Sequence, residues 1–183
     1  LDYDDPETYK MLGQGDTEGV FQLESSGMKQ VLVGLQPQNL EDVIALISLY
    51  RPGPMDSIPT YLRNRHEPDK ISYKTPQLAH ILDVTNGCIV YQEQVMQIFR
   101  ELAGFSFGQA DNVRRAMSKK KHAVMEAERE HFVHGCTEPG HECPGCVANG
   151  ISEKVANEIY DEMSSFASYA FNKSHAACYA YVA

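Results

Sequence analysis

Apolar positions along this chain recur mostly at intervals of three and four, the period of helices that bury one face. Asp5-Pro6-Glu7 predicts a helix start, with a side-chain oxygen to cap, a proline at the first helical position and an acid in the first turn. Gly13 or Gly15 closes that helix. A second is expected through SGMKQVLVGL, stopped by Pro37, and a third through LEDVIALISLY, with Asn39 as cap and Asp42 completing the box. Further helices are predicted over EQVMQIFRELAG, closed by Gly104, over GQADNVRRAMS, over KKHAVMEAEREHFVHG, and over SEKVANEIYDEMSSFASYAF behind Ser152. A last one starts at Ser174 and runs through AACYAYVA. GVFQLES and CIVYQ read as short strands, so the expected fold is mainly α, a multi-helix unit with a few short strands.

Between these elements Arg51-Pro52-Gly53-Pro54 predicts a stiff loop, because each proline biases the residue before it away from helix. Residues 56–87 are expected to be loop-rich with short helical stretches. Met96, Phe99, Phe105 and Phe107 read as core rather than as a stacking platform. The last helix ends without Gly, Asn, Pro or a basic final turn, which suggests a boundary inside a larger domain.

The 183 residues, 43% hydrophobic and 22% charged, suffice for a buried core, and one domain is the default. No apolar run approaches the ~20 residues of a membrane span, and the first residues lack signal-peptide character, so the expected location is cytoplasmic. A net charge of −9 argues against a protein that coats nucleic acid with its whole surface, so any polyanion site must be local.

Such a place is Arg114-Arg115-Ala116-Met117-Ser118-Lys119-Lys120-Lys121, a dense cluster of cations in an otherwise acidic chain. On a helix Arg115 and Lys119 would repel by ~0.2–0.5 kcal/mol unless an anion relieved them. A solvated basic face explains the stretch equally well. Phe171-Asn172-Lys173-Ser174-His175 is the second place: Ser174 reads as an N-cap, the helix behind it offers free N–H groups, and Lys173 and His175 add positive potential. By itself it reads more readily as an ordinary helix start with exposed polar residues. Glu93, at a strand-to-helix junction, reads as an exposed cap or salt-bridge partner.

The five cysteines do not suggest a closed disulfide framework. Cys136, Cys143 and Cys146, with His141 or His134, form a C-x6-C-x2-C pattern that fits tetrahedral Zn²⁺, against the plainer alternative of free thiols in a loop.

In combination, GVFQLES, RPGP, YQEQVM, RRAM-x-KKK and FNKSH, in this order and across nearly the whole chain, strongly resemble the family C replicative DNA polymerases of bacteria. The resemblance implies that residues 1–183 are the N-terminal part of a fingers domain. It implies that Arg114, Arg115, Lys173 and His175, with Arg51 as a less firmly placed member, face the triphosphate of the incoming dNTP. The family's catalytic carboxylates and their Mg²⁺ belong to the palm, whose surrounding motifs are missing here. Implied partners are therefore dNTP, primed DNA template, the palm and thumb domains and replisome subunits, with no membrane; the segment alone would be inactive. Residues 134–150 depart from the family as a Cys/His-rich insertion. The alternative reading is a non-catalytic, zinc-stabilised module that binds nucleic acid or protein.

Overall fold

The computed structural model describes residues 3–167, 169 and 171–183. It is helical throughout, with α1 (Pro6–Gln14), α2 (Ser26–Leu35), α3 (Leu40–Leu49), α4 (Ile58–His66), α5 (Ala79–Leu82), α6 (Gln92–Ala103), α7 (Phe107–Ser118), α8 (His122–His134), α9 (Gly145–Ala148), α10 (Glu153–Ala167) and α11 (Lys173–Val182). The first helices start where the side chains dictate: Asp5 accepts from the Glu7 N–H and Asn39 from the Asp42 N–H. Gly15 and Gly104 close α1 and α6 in the left-handed conformation. No helix among the described residues is long and apolar enough to cross a membrane.

The expected strands are absent among the described residues, and the reason is local. In GVFQLES, Gln22 takes φ 67°, which breaks an extended run, and Leu23 is instead buried in a turn fixed by the Thr17 hydroxyl donating to its carbonyl at 2.6 Å. Around CIVYQ, the Val90 and Tyr91 N–H groups donate to the buried Gln94 side-chain oxygen at 2.8 and 2.9 Å. These donors are thereby unavailable to a neighbouring strand. What remains is one parallel pairing of Tyr91 with Phe171, and an antiparallel one of Cys136 with Cys143. Residues 56–87 are, as expected, loop interrupted by short helical stretches, of which α4 at nine residues is the longest.

Two apolar cores share the chain. One joins α1–α4 through Leu32, Leu46 and Tyr61, and takes in Ala176 and Ala180 of α11, which packs on α3. The other gathers α5–α10 around Phe99, Phe132 and Tyr160. Segment 88–91 bridges them, with Cys88, Val90 and Tyr91 in the first core and Ile89 in the second. Gly53, at φ 94°, is needed in the RPGP loop because a Cβ there would stand 2.5 Å from the Tyr169 ring.

Candidate functional site

Helix α7 opens with Ser106, whose hydroxyl accepts from the Gln109 N–H at 3.2 Å while the Gln109 side chain accepts from the Ser106 N–H at 2.7 Å. Its inner face buries Ala110, Val113 and Met117, so Asp111, Arg114 and Arg115 face outward. One carboxylate serves both guanidiniums: Arg114 donates to Asp111 Oδ1 at 3.1 and 2.7 Å, and Arg115 lies 2.7 Å from Oδ2. Arg114 is largely covered, Arg115 largely exposed. The helix stops at Ser118, so Lys119, Lys120 and Lys121 lie in the turn to α8, where no ion pair engages them among the described residues.

Helix α11 is reached through the Tyr91–Phe171 pairing, in which the Gln92 N–H donates to the Phe171 carbonyl at 3.0 Å. Its cap is Asn172, not the expected Ser174: Asn172 has extended backbone and accepts from the His175 N–H at 3.1 Å, whereas Ser174 already sits inside the first turn. The free N–H of Lys173 is met by Glu93, whose oxygens lie at 3.2 and 3.3 Å and which also accepts from the Asn172 amide at 2.8 Å. Glu93 is thus the cap of a helix eighty residues away in sequence. The Lys173 ammonium reaches Glu41 on α3 at 2.9 Å.

Around Phe171 the remaining candidates gather. The Arg51 guanidinium lies 3.6 Å from the ring centroid, and the His175 ring meets the edges of Phe171 and Tyr179 at 5.1 and 4.6 Å. Burial pulls the Arg51 pKa below its ordinary value, and its buried Nε has no hydrogen-bond partner among the described residues.

A cavity of about 380 Å³ connects the two helices, with Arg114 on one wall, Glu93 and Asn172 on another, and Met96, Arg100 and Phe107 along the rest. Of the five candidate cations, the described residues place Arg114 at this cavity. Arg115 does not line it and pairs with the other oxygen of Asp111, Lys173 turns toward Glu41, and Arg51 and His175 share the Phe171 ring. Sequence reasoning missed Asn172, Arg100, Glu41 and Asp111; of these Asn172 carried a signal as a cap residue, and Asp111 as an acid three and four residues before the arginines it pairs.

The cysteine loop takes a different form from a metal centre. Cys136 and Cys143 exchange both backbone hydrogen bonds at 2.9 Å, His141 is exposed, and the Cys146 thiol is sealed in the core, where burial pushes its pKa up to about 12. Among the described residues no group of three or more His, Cys, Asp or Glu is placed to hold a metal, so the candidates do not fit zinc as they stand.

Residues 1–140 match the model of the bacterial DNA polymerase III alpha subunit finger domain. The chain belongs to that family. It is 47% identical over all 183 residues to the DNA polymerase III subunit alpha of Staphylococcus aureus strain N315, and 46% to that of Staphylococcus epidermidis strain ATCC 12228. In each case it spans 16% of the relative's length. The finger-domain match covers α7 and stops before α11, whereas the alignment with these relatives covers both helices.

Proposed function

We propose that this chain is the part of a replicative, DNA-directed DNA polymerase that grips the triphosphate of the incoming dNTP on a primed template. The observation that carries the reading is that Arg114 and the N-terminus of α11 meet at one cavity, each held by a carboxylate that a phosphate could replace. Guanidinium forks bind phosphate oxygens in pairs, and a helix N-terminus donates backbone N–H groups along its dipole. Asp111 and Glu93 would then be counter-ions of the empty state, keeping the cations extended and the N–H groups satisfied.

No residue of this chain is assigned to hold Mg²⁺. Metal ions on palm carboxylates would stabilise the attacking and leaving oxygens, while this chain orients the triphosphate and neutralises its charge. The segment alone should extend no primer. Palm, thumb and replisome subunits are the proposed partners, in the cytoplasm. Zinc in the Cys136–Cys146 loop is retained as a proposal; stoichiometric zinc in the purified protein, with melting lowered by a chelator, would establish it.

The test is kinetic. In the full-length polymerase, Arg115→Ala or Lys173→Ala should lower kcat/KM for dNTP by roughly 1.5–3 kcal/mol per charged hydrogen bond lost. DNA affinity should barely change. Normal dNTP kinetics in both variants would refute the assignment.

A further inference from the structure

The aromatic residues of α6 and α7 were expected in the core, and Phe99 and Phe105 are there, with Met96 packed against them. Phe107 is not: it is 66% exposed, on the first turn of α7. The exposed ring therefore leaves a flat apolar face open at the cavity, beside charged groups. Phe107, Asp111 and Arg114 stand at i, i+4 and i+7, so the ring and the guanidinium share one helix face and line the same cavity.

Arg100, on the neighbouring α6, completes the arrangement. Its guanidinium carbon lies 6.0 Å from the Phe107 ring centroid, and no carboxylate engages it among the described residues. Arg114 and Arg115 are committed to Asp111, and Glu93 to α11. Lys119, Lys120 and Lys121 lie beyond the end of the same helix, without ion pairs among the described residues, in a chain whose net charge is −9. A protein segment covering Phe107 would need to bring acids for these cations. A ligand with a flat aromatic face and its own phosphate satisfies ring and guanidinium together. The cavity, at about 380 Å³, falls within the ~300–1,000 Å³ of small-ligand sites.

We propose that this cavity seats an unpaired nucleotide, its base stacked on Phe107 and its phosphate on Arg100. Stacking on an aromatic ring tolerates any base, and the guanidinium supplies the backbone contact, which is how sequence-independent single-strand sites are built. The amide of Gln97 at the same cavity supplies donors and an acceptor for a base edge. The nucleotide can come from the template strand ahead of the primer end or be the incoming dNTP itself, and the two sources share this chemistry. The inference rests on the nucleotide reading of the cavity and extends it from the phosphate groups to the base.

The experiment uses the full-length polymerase and two probes, a primed template with 2-aminopurine in its single-stranded overhang and the 2-aminopurine deoxynucleoside triphosphate. Phe107→Ala should weaken one probe by about tenfold and remove its stacking quench, whereas Phe107→Tyr should retain both. Phe107→Leu should behave like Phe107→Ala, because it keeps apolar bulk and loses the ring. Arg100→Ala should weaken the same probe and lower the salt dependence of its binding by about one charge. An effect confined to the overhang assigns the template strand; one confined to the triphosphate assigns the incoming nucleotide; either supports the proposal. If Phe107→Leu matches the parent, or if neither probe responds to Phe107→Ala in a protein that melts normally, the proposal is overturned. Loss of overhang binding here, together with normal dNTP kinetics in Lys173→Ala and Arg115→Ala, would retain this site and remove the triphosphate reading alone.

Discussion

The cations of α7 and those at the start of α11 are held in opposite ways. On α7 the counter-ion is local: Asp111 sits on the same helix, within one turn of Arg114 and Arg115. On α11 it is remote, since Glu93 comes from α6 and Glu41 from α3. Local pairing survives anything that leaves the helix intact, because spacing alone enforces it. Remote pairing exists only while the segment between the two cores is in register. The α7 half of the site is therefore preformed by one helix, and the α11 half depends on how the whole chain packs.

The sharpest way to break the asymmetry is at Gln94, whose buried amide takes the Val90 and Tyr91 N–H groups and donates to the Ile81 carbonyl and the Thr85 hydroxyl. Gln94→Ala leaves these groups unpaired in the interior and should cost about 3 kcal/mol or more, at ~1–3 kcal/mol for each unsatisfied group. Hydrogen exchange in the full-length protein should show protection lost at Tyr91 and through the first turn of α11 while α7 keeps its own. Equal loss in both helices would erase the distinction. Next in size, Asn172→Ala removes the α11 cap and should cost about 1 kcal/mol, seen as faster exchange of the His175 amide. Asp111→Ala should cost only ~0.2–0.5 kcal/mol per lost pair, an effect that shrinks with added salt. Smallest in energy, alkylation of the native protein should modify the exposed Cys178 on α11 and leave Cys88 and Cys146 untouched, with burial raising their thiols to about 11 and about 12. Early reaction at Cys146 would show that the second core opens more readily than α11 detaches.

The same contrast explains what could be read before the structure. Helix starts and stops at Asp5, Asn39, Ser152 and Gly104 follow from side chains acting over three or four residues, and these were legible. The strands at GVFQLES and CIVYQ were misread because β structure needs a partner that sequence does not name, and because Gln94 takes the donors a partner would use. Asn172 and Ser174 are both good caps, and packing of Phe171 against Tyr91 decides in favour of the first. In the cysteine loop, spacing suggested a shared centre; the fold adds the backbone pairing of Cys136 with Cys143 and the burial of Cys146. Phe107 was expected in the core with Met96, Phe99 and Phe105, and is exposed instead. It stands at the first position of α7, directly after the Ser106 cap, where the ring is left exposed.

The central claim is that Arg114 and the α11 N-terminus hold a triphosphate rather than a nucleic-acid backbone. Its most direct test is Arg114→Ala in the full-length polymerase, with kcat/KM for dNTP and the Kd for primed DNA measured on the same preparation over a range of salt. The expected result is a fall in kcat/KM of about ten- to a hundredfold, equivalent to roughly 1.5–3 kcal/mol, with DNA affinity and its salt dependence unchanged. Weaker DNA binding with a shallower salt dependence and normal dNTP kinetics would contradict it and mark α7 as a phosphate-backbone contact.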